Sequence, residues 1–290
     1  MKHDGTETRM DGVALVLEGG GMRGIYTTGV LDGFLDNGIF FDYVIGVSAG
    51  ASHALSYLSR QRDRARRVNV DYCRRRDYMG LGCLLREGSL FGMDLLFKKI
   101  PYALDPFDFP VFEKNAGSYY AVATSLSSGA PRYFAPRTAD SVLDVAMASC
   151  SLPFVSKPIV IDGEPFLDGG IGDSIPVRKP LADGQKKIVV VLTQPRGYRK
   201  GPTSGKWLFR AFYGKYPEFV RALERRNESY NETLDYIDRL ESEGTAFVIR
   251  PAPQPGLKRL ERDPAVLNGL HRSGLADASA NLAALKEFIA

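Results

Sequence analysis

The sequence predicts an α/β protein, a three-layer α/β/α sandwich on a mainly parallel central sheet. Three observations carry that expectation. Two strand–helix pairs follow one another between Val13 and Leu58, apolar β-branched runs recur between helical stretches to the end, and no repeat, low-complexity tract or long linker interrupts them. Residues 13–17 form a short apolar run closed by Glu18 and three glycines, the mark of a buried strand and a tight turn. Residues 23–36 place Ile25, Val30, Leu31, Phe34 and Leu35 on one helix face, and Asn37-Gly38 stops them. A second buried strand at 43–47 and a second helix at 49–58 follow. Further strands are expected at 119–124, 159–161, 188–192 and 246–249, and helices at 139–148, 216–240 and 264–289. Residues 13–290 thus read as one domain behind a polar tail of residues 1–12.

Two segments break the alternation. Residues 60–76 are dense in arginine and read as a solvated helix face. Residues 81–100 carry Leu84, Leu85, Leu90, Phe91, Met93, Leu95, Leu96 and Phe97, interrupted by Gly82, Gly88 and Gly92. They form either a core helix pair with glycine turns or, over 81–110, a lid or interfacial segment above an apolar site.

Bulk properties exclude several classes. In 290 residues, a hydrophobic share of 44% suffices for a sizeable core, which sets disorder aside. A net charge of +4 is too small to argue for nucleic acid, though it suits occasional contact with an anionic lipid surface. Cys73, Cys83 and Cys150 show no CxxC spacing, so neither a disulfide framework nor a zinc site is indicated and a reducing compartment is expected. The start lacks the apolar core of a signal peptide, and no run nears the roughly 18 apolar residues of a membrane span. The expectation is a soluble, cytoplasmic protein that meets membranes only at their surface.

Chemistry concentrates in three motifs. Gly46-Val47-Ser48-Ala49-Gly50 is a G-x-S-x-G between an expected strand and an expected helix. There a nucleophile sits on a strained turn and small neighbours let strand and helix approach. A tight turn with a capping serine is the plainer alternative. Gly19-Gly20-Gly21-Met22-Arg23-Gly24 fits two machines. As G-x-G-x-x-G it could hold a dinucleotide pyrophosphate, and as a loop of N–H groups it could hold an oxyanion. A dinucleotide site wants an acid where the second strand ends. Here that strand ends in the serine motif, with Asp42 at its start, so the nucleotide reading is the weaker one. Asp168-Gly169-Gly170 is ordinary turn chemistry alone, but a serine nucleophile needs a base. The histidines are His3, His53 and His271. The chain order Ser48, Asp168, His271 matches an α/β-hydrolase triad, yet His271 falls within an expected helix, so a carboxylate base and the triad both stay open.

Together, the segments from Glu18 to Gly24, Gly46 to Gly50 and Asp168 to Gly170, with Ala148-Ser149-Cys150-Ser151-Leu152-Pro153-Phe154, resemble the patatin-like phospholipases over residues 13–193. That resemblance implies a patatin-like sandwich and a Ser–Asp dyad needing no histidine, metal or cofactor. It implies hydrolysis of acyl esters in phospholipids, lysophospholipids or neutral lipids. Position by position, Ser48 is the nucleophile, Asp168 the general base, and the N–H groups of Gly19, Gly20, Gly21 and Met22 the oxyanion hole. Arg23 matches the loop's usual basic position, where it is expected to brace the loop, and Gly24, Gly46, Gly50, Gly169 and Gly170 support the turns. Ser174 stands where family members often carry Asn, a departure expected to alter one supporting hydrogen bond. The implied partner is a lipid or lysolipid ester, with no nucleic acid. Trp207-Leu208-Phe209-Arg210-Ala211-Phe212-Tyr213, flanked by Lys206 and Lys215, reads either as a core stripe or as a basic amphipathic helix at a membrane surface.

Overall fold

The computed structural model describes residues 8–115 and 117–289. Strand β1 (Thr8–Leu17) begins before the apolar run, because its polar start pairs with the next strand through backbone bonds that need no apolar side chain. Residues 8–12 therefore belong to the sheet rather than to a tail, while residues 1–7, with His3, lie outside the described residues. A 3-10 turn (Gly21–Gly24), α1 (Ile25–Asp36), β2 (Ile39–Val47) and α2 (Ala49–Leu58) complete the opening unit as expected.

The arginine-rich stretch departs from expectation. Only α3 (Arg64–Val70) is helical there, and Arg64 is buried, donating to the Asp105 carbonyl while Arg67 grips the Asp105 carboxylate at 2.8 and 3.0 Å. The segment clamps a neighbouring loop instead of forming a solvated face. α4 (Leu81–Glu87), a π-helical stretch (Leu95–Leu104) and α5 (Phe109–Asn115) follow. Within them Leu95, Phe97 and Ile100 are buried, whereas Leu81 and Leu85 face solvent.

Next come β3 (Ser118–Ser125), β4 (Pro131–Phe134), α6 (Ala139–Ser149), the hairpin of β5 (Ile159–Ile161) and β6 (Glu164–Asp168), and α7 (Arg178–Ala182). β7 (Lys187–Val191), α8 (Lys206–Tyr213), α9 (Pro217–Ser242), β8 (Ala246–Ile249) and α10 (Pro264–Ile289) close the chain. The sheet runs β5-β6-β3-β2-β1-β7-β8, with β4 also on β3. The pairings β3–β2, β2–β1, β1–β7 and β7–β8 are parallel, and the β4, β5 and β6 edge is antiparallel.

Parallel strands buried on both faces explain why their sequences lack polar alternation. Leu15 and Leu17 enter the core shared with Tyr26 and Phe34 of α1 and Leu267 and Leu270 of α10. Their neighbours Ala14 and Val16 enter the opposite core, against Tyr230, Leu234 and Ile237 of α9. Two cores on two faces make the three layers.

Candidate active site

Sheet register brings the serine and the carboxylate together. Val47 at the end of β2 lies opposite Val122 of β3, and Ala123 of β3 lies opposite Asp168 of β6. Ser48 and Asp168 are thus about two strand spacings apart, roughly 4.8 Å each, and their side chains close the gap. Ser48 Oγ donates to Asp168 Oδ2 at 2.7 Å, with the two residues 8% and 3% exposed. Asp168 Oδ1 accepts the Gly170 N–H at 2.8 Å. Thr124 Oγ1 donates to the Asp168 carbonyl at 2.9 Å and accepts the Gly172 N–H at 3.0 Å, which pins the turn carrying the carboxylate.

The serine sits at φ +53°, ψ −123°, a conformation that costs a non-glycine residue roughly 1–3 kcal/mol and persists only when its surroundings fix it. Ser149 provides part of that fixing, accepting the Ser48 N–H at 2.8 Å and donating to the Val122 carbonyl at 2.6 Å. Helix α2 begins directly behind the serine, its dipole favouring negative charge there. A Cβ on Gly50 would lie 2.6 Å from the Leu17 carbonyl oxygen, and one on Gly46 2.6 Å from the Ala51 nitrogen, so both positions admit only glycine. Gly24 and Gly169 sit in similarly close contacts, with Ala49 and Val122.

Gly19 and Gly20 border a polar cavity that Ser48 shares, and Gly21 and Met22 border an apolar one that Ser48 also shares. Among the described residues no acceptor engages the N–H of Gly19, Gly20 or Gly21. The Met22 N–H, by contrast, donates to the Arg259 carbonyl at 3.1 Å. This corrects the four-donor oxyanion hole: in this conformation Met22 is spoken for by a distant loop. Arg23, expected to brace the loop, lies beside Gln194, which follows β7. With the Gln194 amide oxygen turned toward it, both guanidinium ends donate to that oxygen at 2.8 and 3.2 Å. Glu18, buried where β1 ends, accepts from the Thr193 N–H at 2.6 Å and the Tyr230 hydroxyl at 2.7 Å. Burial raises its carboxyl pKa against the lowering effect of those bonds. Ser174 donates to the Gly170 carbonyl at 2.7 Å.

The polar cavity, about 330 Å³, is walled by Glu18, Arg23, Asp168, Lys200, Arg226 and Arg259 among others. The apolar one, about 80 Å³, runs between Met22, Phe91, Met93, Leu96, Phe97 and Leu152. Residues 91–97 therefore form a wall of the apolar space beside Ser48. Cys150 lines the same space, and burial followed by the Asp168 charge pushes its thiol pKa up.

Neither described histidine is bonded to Ser48 or Asp168. His53 lines the apolar cavity with Nε2 unpartnered, and burial pushes its pKa down to about 4. His271 on α10 meets Thr28 Oγ1 at 3.0 Å and lies 3.6 Å from Asp32, so the Ser48/Asp168/His271 triad is not assembled. Asp32, Asp63 and His271 converge closely enough to surround a cation, but they stand on the α1–α10 side and Arg66 already holds Asp63.

Sequence reasoning missed Ser149, Thr124 and the cations Lys200, Arg226 and Arg259. Ser149 stands inside a stretch the sequence did single out. The cations carry no motif.

The fold is a patatin-like α/β/α sandwich around a mostly parallel sheet. The sequence profile of the patatin-like phospholipases matches residues 15–181, and the chain belongs to that family. A second profile, for a domain of unknown function (DUF6363), matches residues 216–290. YjjU of Escherichia coli K12 is 32% identical over 254 residues, covering 84% of this chain and 69% of YjjU. Lysophospholipase nte1 of Aspergillus terreus is 31% identical over 212 residues, covering 67% of this chain but only 13% of that protein. VipD from Legionella pneumophila has a similar solved structure, with TM-score 0.48 and 12% identity over 93% of this chain and 66% of VipD.

Proposed function

We propose that the protein is a serine acyl hydrolase that cleaves carboxylic esters of lipids, as a phospholipase or lysophospholipase, through a Ser48–Asp168 dyad. The observation that carries this reading is the 2.7 Å bond between Ser48 Oγ and Asp168 Oδ2, made where a glycine loop and an apolar cavity meet. In the cycle, Ser48 attacks the acyl carbonyl while Asp168 takes its proton. The N–H groups of Gly19, Gly20 and Gly21 receive the oxyanion, the alcohol leaves with the proton, and water releases the fatty acid through the same roles reversed. A carboxylate is a weaker base than histidine, so the oxyanion donors, each worth roughly 2.7 to 4 kcal/mol elsewhere, carry much of the acceleration. Membership of the patatin-like family and similarity to lysophospholipases support the lipid ester as substrate. The nucleotide alternative is disfavoured because β2 ends in Val47-Ser48, with Ser48 bonded to Asp168, where a dinucleotide site wants an acid for the ribose. A fluorophosphonate probe is expected to label the folded protein at the peptide containing Ser48. A folded chain that resists labelling, or labels elsewhere, would overturn the reading.

Surface contact is part of the same proposal. Helix α8 turns Tyr213 inward but leaves Trp207 71% and Phe212 61% exposed, with Lys206 and Arg210 on the same helix. Phe212 packs on Phe154 at the rim of a groove that reaches Asp168. Among the described residues no helix is long and apolar enough to cross a membrane, so the proposed contact is peripheral. The free thiols of Cys73, Cys83 and Cys150 fit a cytoplasmic location. Flotation with anionic vesicles should recover the protein, and Trp207→Ser with Phe212→Ser should reduce recovery several-fold. Absence of binding to both anionic and neutral vesicles removes the interfacial role.

A further inference from the structure

Four cations line the polar cavity beside Ser48: Arg23, Lys200, Arg226 and Arg259. Several arginines elsewhere are paired with acids, as in Arg66–Asp63, Arg196–Glu241 and Arg250–Glu241. Among the described residues, none of the four cavity cations forms an ion pair. The two carboxylates on the wall are otherwise engaged, Glu18 with Thr193 and Tyr230, and Asp168 with Ser48 and the Gly170 N–H. Crowding like charges in a partly dry pocket is costly unless an anion enters.

Two of these cations, Arg226 and Lys200, are also held in place. Arg226 Nε donates to the Gly170 carbonyl at 2.5 Å, leaving the remainder of its guanidinium for another acceptor. The Lys200 backbone is pinned by paired 2.9 Å bonds with the Asn231 side chain, and its ammonium lies 3.5 Å from the centre of the Tyr230 ring. Burial, then Arg226, pulls Lys200 down to about 7, with Arg259 and Arg23 adding to the repulsion and Glu18 opposing it. An arriving anion would reverse that loss and keep the ammonium charged.

We infer that this cavity is a subsite for a phosphate group on the leaving alcohol of the ester, built largely by Lys200, Arg226 and Arg259 from beyond the segment that matches the phospholipase profile. The inference rests on the hydrolase reading and deepens it. An ester at Ser48 would send its acyl chain into the apolar cavity and its glycerol-linked phosphate into the cationic one, since Ser48 borders both. Four cations disfavour headgroups bearing a compensating amine, so the preferred substrate is an acyl glycerophosphate with an uncompensated negative charge.

The test has two arms on the full chain. Calorimetric titration of the Ser48→Ala protein with inorganic phosphate reads the pocket without turnover. Adding Lys200→Met and Arg259→Gln to that background should weaken binding roughly 10- to 100-fold, the scale of lost charge-assisted hydrogen bonds. The second arm compares kcat/KM for 1-acyl-glycerol-3-phosphate with that for 1-acyl-glycerol. The ratio should favour the phosphate ester in the unmutated enzyme and fall roughly 10- to 100-fold in Lys200→Met/Arg259→Gln. A ratio within one preparation cancels any loss of folded enzyme. No heat and no melting shift with phosphate in the Ser48→Ala protein overturns the subsite, even where the triple variant does not fold. Phosphate binding with an unchanged ratio assigns the pocket to a free anion and overturns the leaving-group role. Lys200-dependent phosphate binding without cleavage of either ester keeps the anion pocket and ends the hydrolase reading instead.

Discussion

Ser48→Ala and Asp168→Asn are each expected to lower ester cleavage by roughly 10,000-fold or more, the scale seen when a member of a nucleophile–base unit is removed. Both proteins should remain folded. Alanine at position 48 keeps the same backbone, still held by the Ser149 bond to the Ser48 N–H. Asparagine at position 168 keeps an oxygen for the Gly170 N–H and places an amide nitrogen near Ser48 Oγ, so the geometry survives while the base is lost. His271→Ala separates dyad from triad. Its ring contacts Thr28 and lies beside Asp32, so activity per folded molecule should stay within about threefold while stability falls by about 1–3 kcal/mol from buried groups left unpaired. Steady-state rates normalised to the folded fraction decide the matter. Substantial turnover by Asp168→Asn, or a loss in His271→Ala equal to that of Ser48→Ala, would sink the dyad.

What the sequence disclosed follows from how local each constraint is. The elbow was legible because a serine between a buried strand and a helix needs glycine at Gly46 and Gly50, and those contacts are set within a few residues of it. Asp168 was legible only through resemblance, since Asp-Gly-Gly alone is turn chemistry. Its strand, β6, escaped because Glu164 and Pro165 break the apolar pattern of a short antiparallel edge. The occupied Met22 N–H could not be foreseen, because the Arg259 carbonyl arrives from an irregular loop far along the chain. Lys200 and Arg226 look like any surface charges in sequence. Only the cavity shows them unpaired, whereas Arg64, Arg66 and Arg67, part of a stretch conspicuous as text, prove to be clamps on Asp63 and Asp105.

Removing residues 216–290 is expected to abolish cooperative folding, although the phospholipase profile ends well before them. That segment supplies β8, which pairs with β7, and helices α9 and α10, which cover opposite faces of the sheet. Tyr230, Leu234, Ile237 and Leu240 are buried on one side, and Leu267, Leu270 and Leu285 on the other. At roughly 1.5–3 kcal/mol for each buried side chain, their loss is on the order of the entire 5–15 kcal/mol that stabilises an ordinary domain. The α1–α10 contact is especially close. A Cβ on Gly29 would lie 2.0 Å from the His271 carbonyl oxygen, and one on Gly274 2.0 Å from that of Tyr26, so the two helices touch backbone to backbone. Tyr26 also donates to Asp277 Oδ2 at 2.7 Å across the same seam, and that bond would be lost with α10. The shortened chain should therefore bind a hydrophobic dye, lack a calorimetric unfolding peak and fail to react with a fluorophosphonate. Gly274→Val in the full chain is the milder test of the same seam, and should destabilise by several kcal/mol because backbone rather than a flexible side chain stands in the way. A shortened chain that melts cooperatively would show two separable units where residues 13–290 are expected to fold as one.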